Sequence, residues 1–387
     1  MIAPATGEAT APASSSVVPA YGVSTLAELM PGIGARLGVP GCRTDRLGLP
    51  EARRYVVALV DGLGWHAIRR NLRAAPYLAS LLGEATPITS GVPSTTATSL
   101  TSLGTGLAPG QHGMVGYTSR VPETGEILNA LTWESDLLAR TYQAKPTFFE
   151  RAAAAGVRVS SVALERFEGS GLTEAALRGA EFVPFADEGA EDERIALVAR
   201  AAIRSPRTLV YAYERELDHC GHVHGWESAQ WLDQLTRIDA MCERLRAELA
   251  DDVCLLITGD HGMVDVPAGR QIVVEDTPEL MAGVSAVAGE GRFRQLYVDE
   301  DRPESVAARW QEYLGPRAWV RLREDAVAEG WFGPVDPELL PRWGHVLVAL
   351  RDNWAVMTRQ FPRELALIGM HGSLTPEEMV VPLFRDV

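Results

Sequence analysis

The sequence predicts an α/β fold in which a mainly parallel central sheet is flanked by helices. Four short segments rich in Val, Ile and Leu have the length of buried strands; they are residues 55–60, 158–164, 208–213 and 253–258. None of them alternates polar with apolar residues, as expected for strands that are covered on both faces. Helical patterns lie between these segments, and such alternation of strands and helices is typical of α/β proteins.

Three segments carry the helical patterns that should cover this sheet. Residues 67–82 form the first, and residues 146–155 form the second, with Pro146 at its start and Gly156 just past its end. In residues 227–249, apolar side chains recur every three or four positions, which predicts an amphipathic helix with one buried face.

The pattern changes after Val266. Residues 267–345 carry several Pro, Gly and Trp residues and lack regular alternation, although residues 295–322 are typical of a strand–helix–strand unit. We therefore expect a small inserted α+β cap subdomain over 267–345 and a core formed by residues 21–266 and 346–387, with a strand near 345–350 returning to the core. The Ala-, Pro- and Ser-rich residues 1–20 lack the features of a signal peptide and are expected to be a flexible tail.

Composition excludes several classes of protein. The 387 residues carry 36 basic and 51 acidic side chains, a net charge of −15, without a basic block, which disfavours polymeric nucleic acid and anionic membranes as partners. No apolar run reaches the roughly 18–20 residues of a membrane span. The cysteines are too sparse for a disulfide framework, so reduced thiols and a cytoplasmic location are expected. They are Cys42, Cys220, Cys242 and Cys254.

Three aspartates follow predicted strands at the point where each strand ends. Asp61 comes directly after residues 55–60, Asp260 follows residues 253–258, and Asp218 lies a few residues beyond 208–213. One such aspartate is usually a turn or capping residue. Because ligands of open α/β sheets bind at the carboxyl ends of the strands, three aspartates there, each beside Gly or His, are expected to meet at one edge of the sheet.

Histidines accompany these aspartates. Asp218 and His222 are four residues apart in DHCGHVHG, Asp260 and His261 are adjacent in TGDHGM, and His371 lies in GMHGS. A lone histidine beside glycine is more often a turn residue, but carboxylate and imidazole together form a ligand set that suits zinc and also manganese. We expect two metal ions that clamp a phosphoryl group for in-line displacement. One ion would be bound by Asp61, Asp260 and His261, and the other by Asp218, His222 and His371.

A nucleophile is expected in the hydroxyl-rich segment 92–106, which follows Pro93 into a helical pattern. Ser94, Thr95 or Thr96 could simply cap this helix. A helix N-terminus also favours a phosphate group and a developing alkoxide. The residue pattern does not choose among the three hydroxyls.

Five motifs in a fixed order resemble the type I phosphodiesterase / nucleotide pyrophosphatase family of the alkaline phosphatase superfamily. The motifs are VDGLG, PSTTATSLTSLGTGLAPGQHGMVGY, ELDHCGHVHG, TGDHGM and GMHGS. The resemblance implies an alkaline-phosphatase-like core and a hydrolase that cleaves phosphodiester or pyrophosphate bonds of small molecules. It further implies a phospho-threonine intermediate and two divalent metal ions, zinc in the first place and manganese as the alternative.

The same resemblance implies individual roles. The family nucleophile lies ten residues before the Gly of a TG-L-x-P turn, and counting back from Gly106 gives Thr96, with Thr95 as the fallback. The first zinc would take Asp218, His222 and His371. The second zinc would take Asp61, Thr96, Asp260 and His261.

One position departs from the family pattern. Tyr117 stands about where members with nucleotide activity carry an Asn that contacts a phosphate oxygen. Lys145 or another cap or loop residue could replace this Asn, although Lys145 could also be an ordinary surface residue. The nature of the small phosphodiester or nucleotide-type substrate and the oligomeric state therefore stay open. Alternatives are a phosphomonoesterase or phosphonate hydrolase of the same superfamily and a catalytically inactive binding protein, although the latter should lack at least one of the seven positions, and all are present.

Overall fold

A seven-stranded sheet lies at the centre of the computed structural model, which describes residues 15–298 and 302–387. The strands are β1 (Arg54–Val60), β2 (Thr86–Thr89), β3 (Thr118–Arg120), β4 (Ile127–Asn129), β5 (Arg158–Leu164), β6 (Glu181–Phe185), β7 (Thr208–Glu214), β8 (Val253–Thr258), β9 (Val264–Asp265), β10 (Gln271–Val273), β11 (Val284–Glu290), β12 (Phe293–Val298), β13 (Ala318–Leu322), β14 (Val346–Leu350), β15 (Ala355–Met357), β16 (Gly369–Met370) and β17 (Val380–Asp386). The central sheet has the order β2-β17-β8-β1-β7-β5-β6, in which only β17 runs antiparallel to its neighbours.

Helices cover both faces of this sheet. They are α1 (Leu29–Leu37), α2 (Trp65–Arg70), α3 (Pro76–Leu81), α4 (Thr96–Thr105), α5 (Pro109–His112), α6 (Ala139–Tyr142), α7 (Phe148–Ala154), α8 (Gly171–Ala176), α9 (Glu191–Ala202), α10 (Glu216–His224), α11 (Ala229–Glu248), α12 (Pro303–Leu314), α13 (Arg323–Ala328) and α14 (Pro376–Met379). Successive residues of β1 alternate between two cores, one packed against α1, α4 and α7 and the other against α9 and α11. The predicted α/β class is thus confirmed, and burial on both faces explains the unbroken apolar runs.

The four strands predicted from apolar runs are found within one residue of their expected ends. The predicted helix over 67–82 is instead two short helices, α2 and α3. Asn71 ends the first of them, and Pro76 occupies the first position of the second, where its missing N–H is tolerated. Helical periodicity continues across the break because both helices bury apolar residues against the same core.

A second, antiparallel sheet of order β11-β12-β14-β13 lies beside the central one. Helix α12 covers one of its faces, and the other face packs on the core through Phe293, Leu347 and Ala349. The strand expected near 345–350 exists as β14, but its predicted return to the core is wrong, because it pairs with β12 and β13. An apolar run buried on both faces does not reveal which sheet it joins.

The N-terminal segment begins to pack against the rest of the protein before residue 20, where the predicted tail should end. Of the predicted tail, residues 1–14 lie outside the described residues. The Val17 N–H donates to the Leu374 carbonyl at 2.8 Å, and Pro19 is buried, so packing begins before residue 20.

None of the helices in the described ranges combines the length and apolar character that crossing a bilayer requires. All four cysteines are free thiols.

Candidate metal centre

Three adjacent strands deliver the predicted aspartates to one edge of the central sheet. Asp61 follows β1 and Asp260 follows β8, while Asp218 lies in the first turn of α10, which comes directly after β7. The order β8-β1-β7 makes these three chain segments neighbours. The three carboxylates therefore lie together at one edge of the sheet, as expected from the sequence.

The three predicted histidines lie around these carboxylates. His222 is one helical turn beyond Asp218 in α10, and its Nε2 lies 3.2 Å from Asp218 Oδ2. His371 Nε2 lies 3.8 Å from Asp218 Oδ1, and His261 Nε2 lies 3.3 Å from Asp61 Oδ1. The rings of His261 and His371 stack with centroids 3.6 Å apart and planes 15° from parallel.

Backbone carbonyls orient all three imidazole rings. A carbonyl oxygen can only accept, so each Nδ1 carries a proton, and in the neutral ring Nε2 keeps its lone pair for the site. Such a bond to the distal nitrogen is the usual support of a metal-binding histidine. The donors and acceptors are His222 Nδ1 to Gly369 O at 2.7 Å, His261 Nδ1 to Gly262 O at 3.1 Å, and His371 Nδ1 to Ser94 O at 2.9 Å.

Each aspartate keeps one oxygen without a hydrogen-bond partner. These buried atoms are Oδ1 of Asp61, Oδ1 of Asp218 and Oδ2 of Asp260. The other oxygens are occupied: Asp61 Oδ2 accepts from the Tyr213 hydroxyl, and Asp260 Oδ1 accepts from the Gly62 N–H at 3.1 Å. Buried carboxylate oxygens without donors are unfavourable unless a cation compensates them.

Two overlapping groups of side chains could each hold a metal ion, with their ligand atoms within 4.8 Å of one another. The first is Asp61, Asp260 and His261, as the sequence predicts. The second is Asp218, His261 and His371, so His261 is common to both, and His222 approaches Asp218 from its other oxygen. The donor set of carboxylates and imidazoles fits divalent zinc or manganese.

Burial and crowded negative charge dominate the electrostatics of this site. Burial raises the pKa of Asp61 well above its usual value, and the neighbouring Asp260 and Asp218 raise it further. Burial would also raise the pKa of Asp218, but His222 and His371 hold it below the ordinary range. Against the burial that lowers it, Asp218 raises the pKa of His222 to about 9. A divalent cation would relieve the repulsion between the carboxylates.

The structure distinguishes the three hydroxyls at the start of α4. Ser94 is buried, and its Oγ donates to the Ser373 carbonyl at 2.7 Å. Thr95 is the buried N-cap and lies near Glu290, whose pKa burial raises to about 8 against the lowering effect of Thr95. Thr96 is partly exposed and opens helix α4, with its Oγ1 3.2 Å from His261 Nε2.

A cavity of about 390 Å³ adjoins the predicted ligands. Tyr117 lines it, and the Asn129 amide donates to the Tyr117 hydroxyl oxygen at 3.0 Å. Lys145 does not line it and instead pairs with Asp336. Tyr117 therefore faces the site, and Lys145 does not.

Sequence reasoning missed two residues of the site. Tyr213 donates to Asp61, and its only signal is that it stands two residues after Tyr211 in an otherwise apolar strand. Glu290 comes from the end of β11, in the region expected to be a cap. No spacing relates it to the other motifs.

Residues 55–374 match the family model described as type I phosphodiesterase / nucleotide pyrophosphatase. Among solved structures, murine ectonucleotide pyrophosphatase / phosphodiesterase 5, in an inactive form in complex with AMP, is 17% identical with a TM-score of 0.67, over 86% of this chain and 87% of that chain. Phosphonoacetate hydrolase from Sinorhizobium meliloti 1021, in complex with phosphonoformate, is 20% identical with a TM-score of 0.68, over 87% and 91%.

Curated relatives match over a short stretch. The catalytic subunit of GPI ethanolamine phosphate transferase 3 from Homo sapiens is 34% identical over 55 residues, and the Mus musculus protein matches equally. This stretch is 14% of the present chain and only 5% of each relative's length. The solved structures share the fold over most of both chains, and these two proteins share one segment.

Proposed function

Since the chain belongs to the type I phosphodiesterase / nucleotide pyrophosphatase family, we propose that it cleaves small phosphodiesters through a phospho-threonine intermediate on Thr96. The family places it among the metal-dependent hydrolases of the alkaline phosphatase superfamily. The proposal adds the nucleophile, the metal and the type of substrate to this assignment.

The observation that carries the proposal is the position of the Thr96 hydroxyl. It lies at the N-terminus of the ten-residue helix α4, faces His261, and lines the cavity together with Asp61, Asp218 and His371. The Ser94 hydroxyl donates to the Ser373 carbonyl, and Thr95, which also lines the cavity, is only 2% exposed. Thr96 is thus the hydroxyl best placed to meet a substrate.

The predicted ligands fit two zinc ions through the unpartnered oxygens of the aspartates and the Nε2 atoms of the histidines, whose Nδ1 atoms face backbone carbonyls. One ion would be held by Asp61, Thr96, Asp260 and His261, and the other by Asp218, His222 and His371. When bound, zinc acts as a Lewis acid that favours the ionised hydroxyl and stabilises charge on phosphoryl and leaving oxygens.

The residues of the chain then have defined tasks. Thr96 Oγ1 attacks phosphorus, the bond to the departing alcohol breaks, and a phospho-threonine remains. Water attacks the same phosphorus in a second step, and Thr96 Oγ1 leaves. The N–H groups at the start of α4 favour the phosphoryl oxygens, while Tyr213 holds Asp61 in orientation through its hydroxyl.

Small anionic substrates agree with what the two similar structures bind, AMP in one and phosphonoformate in the other. The net charge of −15 disfavours a polymeric nucleic acid, whose phosphates require a basic track. The two ions would supply +4 against −4 from three aspartates and an ionised Thr96, so the site could accept an anion without surface basicity. A cytoplasmic location stays a prediction.

The test is a substrate panel on the zinc-loaded protein, with a nitrophenyl diester, a monoester and a phosphonate measured side by side. We expect the diester to be the best substrate, and two zinc ions per chain, of which Asp218→Ala should lose at least the one that Asp218 would hold. Thr96→Ala should lower kcat by about a thousandfold or more, the effect of losing a key catalytic group. The peptide that spans residue 96 should be phosphorylated during turnover by the unaltered enzyme and carry no phosphate in this variant.

Thr95→Ala is the matched control, because it removes the adjacent hydroxyl from the same helix start. A greater loss of kcat in Thr95→Ala than in Thr96→Ala would refute the assignment of Thr96 as the nucleophile. Dominant monoester or phosphonate turnover would favour the alternative superfamily activities, and absence of turnover in the two-zinc protein would favour a binding protein.

A further inference from the structure

The cavity at Thr96 continues away from the predicted metal ligands, between α4 and the central sheet. Thr96 and Leu100, which are one turn apart on α4 and so separated by roughly 6 Å along its axis, both line it. Tyr213 and Tyr211, on the same side of β7, line the opposite wall. We call this inner part the inner pocket.

The walls of the inner pocket are apolar. The Tyr211 and Tyr213 rings stack with centroids 6.4 Å apart, and Phe167 packs edge-on against Tyr213 at 5.8 Å. Aliphatic side chains complete the lining, among them Leu172 and Leu177 from α8 and the segment that follows it. Such walls favour an apolar group over a hydrated one.

Two buried hydroxyls without hydrogen-bond partners lie in this lining. Ser161 of β5 and Tyr211 of β7 are direct partners in the parallel ladder, so their side chains lie next to each other on one face of the sheet. Both residues line the cavity; Ser161 is 2% exposed and Tyr211 is 0% exposed. Neither Ser161 Oγ nor Tyr211 OH has a hydrogen-bond partner.

Buried hydroxyls without partners are rare and destabilising, and two adjacent ones at the wall of a cavity indicate a ligand group that completes them. Burial raises the pKa of Tyr211 well above its ordinary value, so this hydroxyl remains a donor. Both groups are neutral, so they suit a neutral hydrogen-bonding group of a ligand better than an ionised one.

We propose that the inner pocket binds the organic group of the phosphodiester that remains attached to phosphorus when Thr96 attacks. This group has an apolar body and ends in a neutral hydrogen-bonding function, such as a hydroxyl or carbonyl, which pairs with Ser161 and Tyr211. The inference rests on the proposed function, because Thr96 locates the phosphoryl group at the mouth of the inner pocket.

The test uses 4-nitrophenyl phosphodiesters whose second ester group is methyl, hexyl or 6-hydroxyhexyl, with kcat/KM measured from nitrophenolate release. Each buried methylene is worth up to about fourfold, so we expect the hexyl ester to exceed the methyl ester by about 30-fold or more. The 6-hydroxyhexyl ester should be turned over at least as well as the hexyl ester, since its hydroxyl finds partners.

The variant Ser161→Ala/Tyr211→Phe should reverse this last preference, favouring the hexyl ester by about tenfold, the typical value of one lost hydrogen bond. Because it removes groups that lack partners, its Tm should not fall, which separates the effect from misfolding. Ser160→Ala is the matched control: Ser160 Oγ is also buried and unpartnered, but this residue does not line the cavity. It should leave the preference unchanged.

Calorimetric binding of the three esters to Thr96→Ala gives an independent readout and should follow the same order. Equal kcat/KM for all three esters in an active enzyme would overturn the inner-pocket proposal and leave the proposed function standing. A preference that the double variant does not alter, or that Ser160→Ala alters equally, would overturn the role of the two hydroxyls. Absence of turnover of every diester would instead refute the proposed function.

Discussion

A buried ion pair joins the second sheet to α14, the short helix that follows the loop carrying His371. Arg292, between β11 and β12, donates from Nε to Glu378 Oε1 at 3.0 Å and from Nη2 to Glu378 Oε2 at 2.7 Å. Arg292 also donates to the Leu350 carbonyl, and Glu378 accepts from the Ser373 N–H at 3.0 Å. Both side chains of the pair are completely buried.

Replacing only the cation should therefore be strongly destabilising. Arg292→Met leaves the Glu378 carboxylate buried without its partner, which typically lowers the free energy of unfolding by about 3–5 kcal/mol. With an unfolding entropy of about 2.1 cal/mol/K per residue, the chain has about 0.8 kcal/mol/K in total, so Tm should fall by about 4–6 °C. The double variant Arg292→Met/Glu378→Met should recover most of this loss.

Thermal unfolding followed by calorimetry measures these shifts. The matched control is Arg359→Met, since Arg359 pairs with Asp276 on the surface, where the two side chains are 55% and 63% exposed. We expect no measurable change in this control, because exposed ion pairs contribute little. A fall in Arg292→Met no larger than in the control, or a double variant that is no more stable than the single one, would refute the reasoning.

Three further predictions concern pH, packing and metal binding. Burial lowers the pKa of His112 to about 3, whereas a histidine in the unfolded chain titrates near 6.5. The contribution of His112 to the free energy of unfolding should therefore be fully present above pH 6.5 and fall by about 1.4 kcal/mol per pH unit below it. His112→Gln should flatten this pH dependence in urea titrations. Gly104→Ala should destabilise by about 1–3 kcal/mol, because its Cβ would lie 1.9 Å from a backbone oxygen of α8. Tyr213→Phe should weaken zinc binding by about 10–100-fold in chelator competition, since Asp61 loses its donor.

The packing and zinc predictions each have a control in the same chain. A Cβ at Gly83 meets no atom within 4 Å, so Gly83→Ala should be close to neutral. The Tyr77 hydroxyl donates to Asp386 at 2.8 Å, away from the metal centre, so Tyr77→Phe should not change zinc affinity. An unchanged pH slope in His112→Gln, equal stability of the two glycine variants, or equal zinc affinity of the two tyrosine variants would contradict the corresponding prediction.

Much of the fold and the convergence of the site could be predicted from the sequence. Apolar runs mark strands buried on both faces, and Asp61 and Asp260 stand within two residues of the ends of two such runs. Since parallel strands end at a common edge, these side chains had to lie near each other. The order of five motifs added the family, which the match over residues 55–374 shows.

Other features leave no local trace in the sequence. The strand β14 has the same apolar character in either sheet, so its pairing with β12 and β13 depends on tertiary packing. The carbonyls that orient the histidines are backbone groups, which no residue type identifies. The choice among Ser94, Thr95 and Thr96 depends on where each hydroxyl points, because all three types suit a helix start.

The hydrogen bond from His371 to the carbonyl of Ser94 joins residues 277 positions apart in the chain. Asp61 directly follows β1, whose partners β7 and β8 come some 150 to 200 residues later, and the side chain that orients Asp61, Tyr213, is 152 positions away. During synthesis from the N-terminus, helix α4 therefore emerges long before the groups that complete its surroundings. Acquisition of the proposed metal ions would then be among the last events of maturation, and a nascent chain that stops before residue 371 would lack one of the proposed ligands.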